Sequence, residues 1–248
     1  MVPRNLLASL ALVFSFLPLV SAHQEEVVLD AWKTLGIPDP LNVLIYASVI
    51  ASIAIVFSLL FQKSLGPRKK KFAFLAIVIP IAFATLYLSA TTVYLNVVSE
   101  SGGPVHWHAD YEVWACGEKY ELIDPTGLEN RVGSPTIHEH NDNRIHIEGV
   151  LFKLKEAELG EYFEKIGGEY TKEQLGLLTH DGYKVWRNGD LCNGLPGRWH
   201  LFVNSALNEQ GPEHVIAPYT LVPPGDRLKL VFTEKSEQEV NGVLGVEP

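Results

Sequence analysis

Two apolar stretches without a single charged side chain, residues 41–61 and 72–98, are separated by only ten residues, five of them basic. A helix needs about 20 apolar residues to cross a hydrocarbon core. The first run meets that length, and the second spans with tilt or with a kink at Pro80. Packed instead as core helices of a soluble domain, both would lack the polar face that such helices present to water. The basic segment 62–71 (Lys63, Arg68, Lys69, Lys70, Lys71) belongs on the cytoplasmic side. Alternation then puts residues 23–40 and 99–248 outside. The expectation is a multi-pass cell-membrane protein: a two-helix transmembrane hairpin carrying an extracytoplasmic domain.

The first 22 residues read as a secretory signal. Arg4 supplies the positive end, residues 6–20 the apolar stretch, and Val20-Ser21-Ala22 the small residues at a cleavage site. Cleavage after Ala22 frees His23 as a new N-terminus, the ligand set of a histidine brace. An uncleaved anchor leaves the topology unchanged.

Residues 1–98 hold seven basic and four acidic side chains, which leaves 13 of 20 basic and 25 of 29 acidic residues beyond them, a balance of −12. A surface so acidic repels phosphate backbones, so nucleic acid is excluded as a partner. Both cysteines, Cys116 and Cys192, fall in this part. Outside the cytoplasm a disulfide between them is permitted; the alternative is two unrelated buried thiols.

After the Ser101-Gly102-Gly103-Pro104 link, read as flexible, the pattern becomes one of alternation. Residues 105–115 predict a strand, 116–119 a turn, and 120–123 its partner. Further strands are expected over 136–140, 144–152, 183–187, 198–204 and 227–233. Residues 155–166 predict an amphipathic helix stopped by Gly167-Gly168. Residues 171–178 predict a short second helix capped by Thr171. The fold class is mostly-β α+β.

Five of nine histidines fall between 106 and 146, as His106-Trp107-His108, His138-Glu139-His140 and His146-Ile147-Glu148. Residues two apart on a strand point to the same face. Three strands can therefore present His106, His108, His138, His140 and His146 to one patch, with Glu112 and Glu148 as carboxylate ligands or orienters. Imidazole with carboxylate suits a divalent transition metal, Zn, Cu or Fe. Met1 is the only methionine, which disfavours a thioether copper site. The competing readings are a solvated strand face and a pH-responsive surface. His180, His200 and His214 stand alone and are not assigned.

His106-Trp107-His108-Ala109-Asp110-Tyr111-Glu112 resembles the opening H-x-H-x₃-E of the cupin metal motif. That resemblance implies His106, His108 and Glu112 as ligands. Residues 199–204 and 219–232, with the turn Pro224-Gly225-Asp226, resemble the closing half of a β-grasp unit and imply its fold. The whole H-x-H-A-D-x-E…H-x-H…I-H-I-E-G series resembles prokaryotic membrane-anchored proteins of uncharacterised activity, which implies surface exposure and a metal. A helix hairpin before an outside β-domain is also similar to cytochrome oxidase subunit II, but the cysteine–histidine–methionine copper cluster is missing.

The favoured function is binding, delivery or sensing of a transition metal at the membrane surface, with the bilayer, the ion and other membrane proteins as partners. A metal-dependent enzyme of cupin type is the rival, with Glu112, Glu139 or Glu148 as base. A metal-free interaction module of an envelope complex is the third reading.

Overall fold

The computed structural model describes residues 31–125, 130–216, 225–236 and 239–240. The expected signal sequence, His23 and the segment to residue 30 lie outside them. Helix α1 (Pro40–Phe61) opens with Asp39, whose carboxylate accepts from the Leu41 amide at 2.9 Å, and with Pro40 at its first position. Helix α2 (Pro67–Val98) begins earlier than the apolar run. Pro67 starts it, so Arg68 and Lys69–Lys71 form its first turn and the connection shortens to residues 62–66. It continues through Pro80.

The helices pack through small residues. Ala47 and Ala51 of α1 and Ala84 and Thr91 of α2 are their buried positions. Small side chains let two backbones approach closely. The Tyr87 hydroxyl also donates to the Pro38 carbonyl at 2.6 Å. Large apolar side chains point outward along both, for example Phe72, Leu86 and Val97, each more than 70% exposed. Both helices are thus long and apolar enough to cross a membrane, and neither serves as a core helix.

The passage from α2 to the domain is tied down, contrary to the expected flexible link. The Ser101 amide donates to the Leu151 carbonyl at 3.3 Å, and the Leu151 amide donates back to Ser101 Oγ at 3.1 Å. The Glu100 carboxylate accepts from the Leu154 amide and from Lys153 Nζ at 2.8 and 2.9 Å.

The domain contains thirteen strands among the described residues: β1 (Pro104–Ala115), β2 (Glu118–Tyr120), β3 (Val132–Gly133), β4 (Ile137–Glu139), β5 (Arg144–Val150), β6 (Glu169–Tyr170), β7 (Gln174–Thr179), β8 (Gly182–Arg187), β9 (Leu191–Cys192), β10 (Leu195–Pro196), β11 (Arg198–Val203), β12 (Ala206–Asn208) and β13 (Asp226–Thr233). The main sheet runs β12-β11-β13-β1-β5-β4-β3, with β2 beside the end of β1. Strand β1 is its spine. Its first half pairs antiparallel with β5, and its second half pairs parallel with β13. Strands β11 and β13, both expected as strands, pair antiparallel on that side, and β12 forms its edge. Gly225 turns the chain into β13 at φ 122°, so close to the His108 carbonyl that a β-carbon has no room.

One sheet face is buried. Ala109, Tyr111 and Val113 of β1, with Ile145 and Ile147 of β5, share one core with helix α3 (Leu159–Lys165) through its Leu159, Tyr162 and Phe163. The alternate residues of β1, from His106 to Trp114, occupy the opposite face.

Two helix expectations are corrected. Residues 155–166 are not one helix: a 3₁₀ turn (Leu154–Ala157) breaks at the extended Glu158 before α3. The backbone there bonds to the segment 214–216 instead, Leu159 N–H to His214 C=O and Ile216 N–H to Ala157 C=O. Residues 171–178 contain strand β7, hairpinned with β8. Thr171 Oγ1 does accept from the Glu173 and Gln174 amides, as a helix cap would. Buried Leu175 and Leu177 then alternate with period two, and the sheet wins.

Cys116 and Cys192 are joined by a disulfide, their Cα atoms 5.3 Å apart. It belongs to a small second core with Ala115 and Phe232, flanked by Tyr120, Trp186 and Trp199.

Candidate metal centre

The register of three strands builds the centre. Across β1 and β5, His106 stands opposite Glu148 and His108 opposite His146. Across β5 and β4, His146 stands opposite His138. Side chains directly opposite on one face lie about 4.5–5.5 Å apart at Cβ. The five imidazoles accordingly form one continuous array. Ring centroids are 4.6 Å apart for His106–His108, 4.7 Å for His108–His146, 5.6 Å for His146–His138 and 4.8 Å for His138–His140. His140 also comes within 5.0 Å of His146.

Within this array, His106, His108 and His146 each present a ring nitrogen so that all three lie within 4.8 Å of one another. The Nε2 atoms of His106 and His108 are 2.9 Å apart. Two nitrogens each about 2.0–2.1 Å from a shared ion are separated by roughly 2.9–3.4 Å, so this spacing suits a common metal. Glu148 Oε1 lies 3.5 Å from His106 Nε2, at the exposed edge.

Orienting groups complete the arrangement. Asp142 Oδ2 lies 3.0 Å from His146 Nε2. A carboxylate only accepts, so Nε2 carries the proton and Nδ1 keeps its lone pair. His140 Nδ1 faces the Asn130 carbonyl at 2.5 Å, which leaves its Nε2 as the free lone pair. Asn141 and Asn143, at φ 65° and 55°, shape the turn that brings Asp142 under His146. Asp142 reads in the sequence as an ordinary turn residue. Its place four positions before His146 was the available signal.

Burial and neighbouring imidazoles favour the neutral form of two rings, His108 and His138. Desolvation, then the charges of His146, His106 and Arg144, hold His108 below the usual histidine value. His138 is 2% exposed and its Nδ1 has no partner among the described residues. Burial, reinforced by His140, holds it down at about 4. The unfolded ring protonates near 6.5 while the folded one resists, so the folded state loses stability as pH falls from about 6.5 to about 4. The loss attributable to His138 is roughly 2–3 kcal/mol. Glu139, whose carboxyl is raised by burial, acts in the opposite sense: its penalty is present at neutral pH and is relieved on acidification. Denaturant titrations of chelated protein at pH 7 and pH 4.5 are expected to show a smaller pH difference for His138→Gln than for the parent. Equal differences would remove His138 from this account.

Two candidate carboxylates stand elsewhere. Glu112 faces the same side as the histidines but two rows from His108, beyond the Asp110–Arg144 ion pair at 2.7 Å. It accepts from Trp114 Nε1 at 2.9 Å and is flanked by Lys119 and Lys229, each 3.8 Å away. The structure does not bring it to the array, so the ligand set implied by the cupin resemblance is not assembled. Glu139 lies on the buried face between His138 and His140. It is 2% exposed, and the backbone amides of Asn141 and Asn143 hold it there. A base for a reaction on the open face cannot be drawn from it.

No protein-family model matches the chain, and neither a curated protein nor a solved structure gives a match, so its chemistry is read from its own geometry.

Proposed function

We propose that this is a membrane-anchored protein whose outward domain binds a divalent transition metal through His106, His108 and His146, in order to hold, deliver or sense it at the membrane surface. The observation that carries this reading is the convergence of three ring nitrogens within 4.8 Å on an open sheet face. Sulfur takes no part, since both cysteines are in the disulfide and Met1 is the only methionine. An imidazole and carboxylate set of this kind suits Zn²⁺, Cu²⁺ or Fe²⁺. Helices α1 and α2 are the anchor, with the basic turn on the cytoplasmic side and the disulfide-bearing domain outside. The parallel β1–β13 pairing beside antiparallel β11 supports a β-grasp reading of the fold.

Elemental analysis by mass spectrometry tests the proposal. The full chain, purified in detergent without chelator, is expected to carry about one ion, and His106→Ala with His108→Ala to carry none while keeping its circular dichroism. Undiminished loading of the double variant would refute the assignment.

A second reading is favoured by Glu148, whose carboxylate reaches the edge of a three-histidine set. Three protein ligands with an open fourth position and a neighbouring carboxylate form the arrangement of metal-assisted hydrolysis. A Co²⁺-loaded sample whose visible spectrum shifts on adding azide has that open position. A spectrum that azide leaves unmoved excludes this reading and retains the binding one.

A further inference from the structure

The hairpin end of the anchor holds a concentration of charge that nothing among the described residues answers. Lys63, Arg68, Lys69, Lys70 and Lys71 are all exposed, and none of these side chains is paired among the described residues. No acidic residue occurs between Asp39 and Glu100, so the hairpin cannot supply a counter-charge. Four of the five sit at the start of α2, where the helix dipole already favours anions and disfavours cations. Gly66 offers no side chain to cap that end, and no acidic residue lies in its first turn. Exposed aromatic rings stand next to the cations: Phe61 is 47%, Phe72 73% and Phe74 61% exposed.

Unpaired cations above a belt of exposed apolar side chains complement one kind of molecule, an anionic headgroup carrying acyl chains. We propose that this turn is a binding site for anionic phospholipid, with Lys69, Lys70 and Lys71 meeting the headgroup phosphates and Phe61 and Phe72 meeting the chains. The proposal rests on the reading of α1 and α2 as a membrane anchor. Clustered basic residues beside a membrane helix draw anionic lipid by roughly fivefold in affinity per residue.

The full chain is tested in non-ionic detergent micelles containing equal amounts of phosphatidylglycerol and phosphatidylcholine, with co-purified lipid counted by mass spectrometry. Phosphatidylglycerol is expected to be enriched at least tenfold. The enrichment should vanish in K69Q/K70Q/K71Q, which keeps Lys63 and Arg68 to set topology, and should persist in K69R/K70R/K71R. Equal retention of both lipids by the parent chain overturns the proposal. So does displacement of phosphatidylglycerol by equimolar inorganic phosphate or glycerophosphate, which would make this a soluble-anion site. Extraction of membranes with alkaline carbonate separates the two readings. A chain released by carbonate refutes the anchor itself, whereas a retained chain without lipid preference refutes only the lipid site.

Discussion

His146→Ala is expected to lower metal affinity by at least a thousandfold, the largest effect of any single substitution in the array. His146 is the imidazole on which the others converge, with rings of His108, His138 and His140 all within 5.6 Å. Removing it takes one nitrogen from a set of three and leaves a gap between β1 and β4. A graded series gives the result its meaning. Asp142→Asn keeps the ring but weakens the acceptor that fixes its tautomer, and changes of this kind typically cost 10–100-fold in affinity. Glu112→Gln, two rows away, is expected to change affinity less than twofold. Isothermal titration with Zn²⁺ or Cu²⁺ reads all three. A large effect at Glu112 together with a small one at His146 would move the site toward the cupin-like segment and overturn the present assignment.

Removing the disulfide, as Cys116→Ser with Cys192→Ser, is expected to destabilise the domain by about 4 kcal/mol. The crosslink closes a loop with a sequence separation of 76, and the entropy that such a loop removes from the unfolded chain corresponds to about 4 kcal/mol. For a domain of this size that lowers the thermal midpoint by roughly 10 °C. Trp186 and Trp199 flank the bond, so tryptophan fluorescence reports the transition where the crosslink acts. The same shift should appear when the parent protein is reduced before heating. A midpoint that moves by less than 2 °C in both experiments would mean that the small core around Phe232 holds without its crosslink.

Local signals carried much of this structure. The helices α1 and α2 were legible because hydropathy over twenty residues is a local property that no distant contact can reverse. The histidine pairs were legible for a similar reason: a period of two puts His106 with His108, and His138 with His140, whatever the sheet order. The sequence could not show that β5 lies between β1 and β4. That order makes His146 the shared neighbour and leaves Glu112 behind the Asp110–Arg144 pair. The β4–β5 hairpin is local, but the pairing of β5 with β1 is long-range, and no local pattern encodes it. Thr171 shows a second kind of limit. Its hydroxyl makes the hydrogen bonds of a helix cap, and the same bonds open a hairpin when buried leucines alternate behind it. Glu139 shows a third: the period of two sets it on the face opposite His138 and His140, but does not say that this face is the buried one.

If the array takes up metal as proposed, the clasp of Glu100 and Ser101 just past the end of β5 sets a length scale for its exchange. Val98 and His106 are eight positions apart, at most roughly 28 Å of extended chain, and the clasp ties Glu100 and Ser101 within that stretch to the domain. For a chain anchored by α1 and α2, the imidazoles therefore stay within that reach of the end of α2, like a mark on a ruler fixed to the bilayer. For a metal bound as proposed, a donor or acceptor rooted in the same membrane is suited to present its own ligands within that reach.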